Sequence, residues 1–157
     1  MRRGDDGIDI VTYRVRPLAA KPPPLTKSQA MARVRQKGTA PELRLRKYLW
    51  ALGLRYRLHA KDLPGTPDIV FRRARVAVFV HGCFWHAHDC KQGVRTPKTN
   101  ADYWIQKRRN NQNRDHRVQA ELAAVGWTPI VAWACENQFV VAAHIESAVL
   151  AAGPLSD

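Results

Sequence analysis

The sequence is poor in three things. It has three cysteines in 157 residues, Cys83, Cys90 and Cys135. That number is too small, and odd, so it does not describe a disulfide scaffold. It points instead to a reducing compartment, with thiols that are buried or bound to metal. No apolar run approaches the ~18 residues that a membrane span requires. Acidic residues are also scarce, with 13 Asp+Glu against 26 Lys+Arg and a formal net charge of +13. A folded surface of that sign attracts phosphates, so nucleic acid is the expected partner. The plainer alternative is a basic protein that needs only solubility or joins a larger assembly. Met1-Arg2-Arg3 is followed by Asp5, Asp6 and Asp9 rather than by the apolar core and cleavage site of a signal peptide. A cytoplasmic protein without membrane contact is expected.

What is present suits one domain. The apolar fraction of 45% can build a core. Residues 1–25, ending in Lys21-Pro22-Pro23-Pro24, read as a disordered basic tail, and 26–153 as a single domain. A short basic helix is expected from Leu25 to about Gly38. Thr39-Ala40-Pro41-Glu42 has the form of a capping box, which predicts that the Thr39 and Glu42 side chains cap a helix start. Leu43, Leu45, Tyr48, Leu49 and Leu52 follow at helical spacing, and Gly53 closes the helix. Alternation over 55–59 predicts a half-buried strand. Asp68-Ile69-Val70-Phe71 and Arg75 to His81 predict a hairpin with its turn near Arg73-Ala74. A long basic helix is expected from Ala101 to about Val125, a buried strand over 127–134 and a last helix over 137–152. This order predicts an α/β domain with a mixed central sheet flanked by helices.

The hairpin places Asp68 opposite Phe79 or Val80, with His81 one residue beyond. A carboxylate, the Val80 backbone carbonyl and an imidazole then share one sheet edge, and oxygen ligands of this kind suit Mg²⁺. Asp is also common in turns such as the one at Pro67, where it needs no metal. Cys83, His88 and Cys90 fall within eight residues, and Cys135 follows a buried strand. Three thiolates and an imidazole make a closed tetrahedral Zn²⁺ site, structural because no position is left for water. His86 or Asp89 offers a substitute ligand, and free cysteines also serve as small buried hydrophobes. His81 and His86 are candidates for acid–base work. Phe84, Trp85 and Trp104 read as wedges for a base stack, or in part as core. Lys107, Arg108, Arg109, Arg114 and Arg117 read as phosphate contacts or as a solvated helix face.

The segments Thr39 to Glu42, Leu63 to Asp68, Phe79 to Cys90, Tyr103 to Lys107, Asn111, Arg114-Asp115 and Gly126 to Cys135 together resemble the very-short-patch-repair (Vsr) mismatch endonuclease family. The resemblance implies a restriction-endonuclease-like fold of PD-(D/E)XK type with a structural zinc. It implies a monomeric, Mg²⁺-dependent enzyme that nicks double-stranded DNA 5′ of the thymine in a T·G mismatch, the product of 5-methylcytosine deamination, alongside other mismatch-repair proteins. By position it makes Asp68 and the Val80 carbonyl the Mg²⁺ ligands and His86 the general base or hydrogen-bonding partner of the attacking water. His81 would stabilise the phosphate or leaving group, and Glu42 would hold the catalytic histidine or a water on the metal. Cys83, His88, Cys90 and Cys135 would hold zinc. Phe84, Trp85 and Trp104 would form the wedge, with Lys107, Arg108, Asn111 and Arg114 on the DNA. The chain departs from the family in three ways: Val80 stands where Thr can occur, the second strand lacks Glu-x-Lys, and Trp133-Ala134-Cys135 replaces Trp-Glu-Cys. A related nuclease with another lesion or sequence preference, one within a restriction–modification system, and a zinc-stabilised DNA-binding module without catalysis are the alternatives.

Overall fold

The computed structural model describes residues 37–153. The tail expected over 1–25 and nearly all of the basic helix expected to follow it lie outside the described residues. Helix α1 spans Ala40–Ala51 and buries Leu45 and Leu49 completely. Leu43 and Tyr48, counted with the apolar stripe, are instead exposed. The capping box forms only in half. The Thr39 side chain makes no cap bond. The Glu42 carboxylate does reach back, but past Thr39 to the Gly38 amide, which donates to it at 2.6 Å. Gly53, at φ +79, ends the helix, and the Leu54 amide bonds back to the Leu49 carbonyl.

Strand β1 is only Arg57–Leu58, both exposed. The longer half-buried strand expected there stops because His59 turns to φ +48. β2 (Ile69–Phe71) and β3 (Val76–His81) form the predicted hairpin, pairing Ile69 with Val78 and Phe71 with Val76. Helix α2 (Ala101–Ala124) then crosses over to β4 (Thr128–Trp133), which runs parallel to β3 from Val76↔Thr128 to His81↔Trp133. A parallel pair needs a connection of this kind. Helix α3 (Gln138–Ala151) closes the chain, its first turn capped by the Asn137 side chain. The sheet order is β1-β2-β3-β4, the mixed sheet that was expected.

Successive residues of β3 point to opposite faces. Val76 and Val78 join Leu45, Leu49, Ile69, Phe71, Ala142 and Ile145 in a core under α1 and α3. Ala77 and Phe79 join Val118 and Leu122 under α2. Three layers result, with β3 buried on both sides. No helix among the described residues is long and apolar enough to cross a membrane.

The loop that delivers Asp68 is set by Gly65, at φ +72, against which a Cβ would collide with the Val118 side chain. Gly65→Ala is therefore expected to destabilise the fold by roughly 1–3 kcal/mol, from overpacking added to a left-handed backbone. Urea unfolding measures this, and an unchanged midpoint contradicts it.

Candidate active site and metal centre

β2 begins at the edge where β3 ends, because the two are antiparallel. The Asp68 carboxylate thereby meets the end of β3, and its Oδ2 accepts the Val80 amide at 2.8 Å. Its Oδ1 faces His59 Nδ1 at 3.7 Å. Burial pushes the Asp68 carboxyl above its usual range; the Val80 amide opposes this, while the nearby Glu42 charge adds to it. Glu42 is 1% exposed. One of its oxygens takes the Gly38 amide; the other, Oε1, accepts no hydrogen bond, although Arg46 Nη1 and His59 Nε2 both stand 3.5 Å away. These distances are electrostatic contact rather than hydrogen bonding. Two carboxylates thus lie on either side of His59, and carboxylate oxygen of this kind is the donor type that fits Mg²⁺.

His81 ends β3 and is 7% exposed. Its ring lies on that of His86, with centroids 3.8 Å apart and planes within 8°. Burial, and then the neighbouring His86, bring His81 down to about 4. It is a neutral ring at pH 7. His86 reaches Asp115 on α2, Nδ1 to Oδ2 at 2.5 Å. Burial works to raise Asp115, but the His86 bond, the charges of both histidines and Arg114 bring it below the usual range. An ionised carboxylate only accepts, so Nδ1 carries the proton of this bond, and in the neutral tautomer that fits it the lone pair lies on Nε2. The donor atoms of His81, His86 and Asp115 lie within 4.8 Å of one another. Parallel stacked rings nonetheless cannot both point their lone pairs at one ion, so this trio suits proton transfer better than metal. His81, His86, Asp115, His116, Gln112 and Trp133 line a cavity of about 230 Å³ beside it.

After His81 the chain turns tightly on Gly82, whose carbonyl accepts from Trp85 and His86. Ala87 takes φ +50. These turns fold Cys83, His88 and Cys90 onto one another, and β4 brings Cys135. The four donor atoms lie within 4.8 Å of each other. His88 and the amide of Gly93 bring Cys90 down to about 6. Desolvation and the adjacent thiols push Cys135 up to about 12. Three thiols in one place cannot all ionise unaided, and a dication removes that conflict. Gly93 is required here, because a Cβ on it would strike the His88 backbone.

Phe84 and Trp85 project from the same loop and meet Trp104 at the start of α2, with ring centroids 5.2–5.9 Å apart. All three are half-exposed, and none belongs to either buried cluster. Lys107 lies within 5.8 Å of the Trp85, Trp104 and Tyr103 rings.

Two residues counted with the DNA contacts stand elsewhere. Arg108 is 8% exposed, and its guanidinium is spent on the carbonyls of Gly93 and Arg95. It anchors the 91–95 loop, because a side chain on the inner face of α2 cannot reach solvent. Asn111 donates to the Trp85 carbonyl at 2.9 Å and so supports the aromatic loop. Lys107 and Arg114 are exposed, the latter 3.2 Å from Asp115 Oδ1. Sequence reasoning missed Asp115 and His59. An acidic residue within a basic helix was the available signal for Asp115. His59 gave none.

Comparison with known proteins identifies the family. Residues 21–92 match the family profile described as DNA mismatch endonuclease Vsr. The chain is 54% identical over 106 residues to the type II nicking enzyme V.XorIIP of Xanthomonas oryzae, covering 68% of this chain and 77% of that one. It is 46% identical over 99 residues to the type II nicking enzyme V.HpaIIP of Haemophilus parainfluenzae, covering 63% and 70%. It is 37% identical over 110 residues to the DNA mismatch endonuclease Vsr of Escherichia coli, covering 70% of each. The chain therefore belongs to the Vsr family of restriction-endonuclease-like DNA mismatch endonucleases, hydrolases that nick DNA.

Proposed function

We propose that this protein is a Mg²⁺-dependent endonuclease that nicks one strand 5′ of the thymine in a T·G mismatch. The observation that carries the reading is the convergence of Asp68, His81 and His86 on the edge from which Phe84, Trp85 and Trp104 project. The thymine preference follows the family resemblance of residues 79–90. We place it in the cytoplasm as a monomer, acting on double-stranded DNA beside other repair proteins.

Asp68 and the Val80 carbonyl would hold Mg²⁺, which supplies positive charge against the scissile phosphate. His86 Nε2 takes the proton of the attacking water, while Asp115 keeps the other ring proton on Nδ1 and the ring in place. His81, neutral at pH 7, serves the phosphate or leaving group through its N–H and not through a full charge. Glu42 supports the site from its buried position. The three aromatic rings enter the stack where a mismatch has already weakened it, and the lower unstacking cost there contributes to selectivity. Lys107 and Arg114 hold phosphates without reading sequence. Asn111 and Arg108 act on DNA only through the loops they brace. Cys83, His88, Cys90 and Cys135 would hold a structural Zn²⁺.

The names of several relatives favour a second reading, a nicking enzyme with its own sequence context in a restriction–modification system. Comparing duplexes that carry T·G, T·A or another mismatch, each in several flanking contexts, separates the two. The first reading expects T·G to be nicked preferentially in every context where nicking occurs. Indifference to the mismatch would remove the repair assignment. Asp68→Ala is expected to lower nicking by on the order of 10³ or more, several kcal/mol of transition-state stabilisation, with DNA binding retained. Elemental analysis is expected to find about one zinc per chain in the wild type and far less in Cys90→Ala. A zinc-free, fully folded wild type contradicts the assignment of the four-ligand cluster.

A further inference from the structure

His59 has no part in the chemistry described so far. Its backbone lies at φ +48, a conformation that a non-glycine residue keeps only where its surroundings hold it. Its amide donates to the Asp68 carbonyl at 3.1 Å. From that position the ring stands between two carboxylates, with Nε2 3.5 Å from Glu42 Oε1 and Nδ1 3.7 Å from Asp68 Oδ1. The Glu42 oxygen that it approaches is the buried one with no hydrogen-bond donor. Arg46 reaches the same oxygen at equal distance, but along α1 from one turn away. Among the described residues only His59 faces both acids.

We propose that His59 is a positioning residue that couples Glu42 to Asp68. Its Nε2 edge stands 3.5 Å from the Glu42 oxygen that the backbone leaves unsatisfied, an electrostatic contact that holds that carboxylate in place. Its other edge confines Asp68 Oδ1, the oxygen that the Val80 amide does not hold. Two neighbouring carboxylates repel each other, and a rigid planar ring between them fixes their separation and the rotation of each. Without the ring, Asp68 is oriented by the Val80 amide alone and presents a less well-set oxygen to a cation. The proposal rests on the reading of Asp68 as the Mg²⁺ carboxylate.

His59→Asn and His59→Gln separate this role from simple packing. Asn tolerates the left-handed backbone but is too short to reach Glu42. Gln carries an amide N–H to about the place of Nε2. The full-length protein is assayed for nicking turnover, KM for DNA, and Mn²⁺ affinity by electron paramagnetic resonance. Melting temperature in chelator reports the fold separately. His59→Asn is expected to lose about 10–100-fold in turnover and in Mn²⁺ affinity, as losses of ligand-orienting residues do, with KM for DNA unchanged. His59→Gln is expected to recover most of both. A His59→Asn variant with wild-type Mn²⁺ affinity overturns the proposal, as does a loss that Gln does not recover. A wild type that nicks equally well without Mg²⁺ fails differently: it removes the Asp68 reading, and the role of His59 goes with it.

Discussion

The parallel pairing of β3 with β4 is the constraint on which the site depends. From Val76↔Thr128 to His81↔Trp133 the two strands advance together and end at one edge. The His81 carbonyl extends the ladder by accepting the Ala134 amide. Everything that follows either strand is delivered to that edge, residues 82–90 from β3 and Cys135 from β4. Antiparallel β2 starts there and adds Asp68. The crossover helix α2 lays Trp104, Asn111 and Asp115 along the same side. In open α/β sheets the crevice beyond the carboxyl ends of parallel strands is the usual place for a site, and this chain fills it from four elements.

The opening of that edge must be held in shape, because it is built from loops rather than from the sheet itself. Four devices hold it. The Cys83-His88-Cys90-Cys135 cluster gathers side chains from both strand ends at one place. Arg108 fastens the 91–95 loop by its carbonyls. Asn111 fastens the aromatic turn by the Trp85 carbonyl. His88 stacks on Trp133 at 4.2 Å, joining the ligand cluster to the end of β4. Glu136 then accepts the Trp133 amide at 2.7 Å, so a carboxylate still serves this corner although position 134 is Ala. Support of this kind suits the base-stack wedge proposed for Phe84, Trp85 and Trp104.

Much of this was legible in the sequence because it rests on periodicity. The α2 boundaries, the β2–β3 hairpin and the burial of β3 follow from apolar spacing and from Gly126, at φ +78, beyond the helix end. The grouping of three cysteines with His88 followed from counting. What stayed hidden depends on tertiary placement. A basic helix shows its composition but not which Arg turns inward, so Arg108 read as a phosphate contact. Glu42 satisfied a local capping rule so well that its bond to Gly38 and its approach to His59 had no separate signature. Asp115 becomes a partner of His86 only once α2 lies across the sheet edge. The shortness of β1 follows from one backbone angle at His59.

The hydrogen bond between His86 and Asp115 is where the proposed chemistry is most exposed to test. Asp115→Asn keeps the shape of the site but offers an amide that can donate, which favours the imidazole tautomer with its proton on Nε2 and removes the lone pair needed for the attacking water. Single-turnover nicking of a T·G duplex under saturating enzyme measures the step directly. The expected rate is lower by on the order of 10² or more, the scale of losing general-base catalysis, with DNA affinity unchanged. An Asp115→Asn variant that nicks at the wild-type rate would contradict the assignment of His86 as the base.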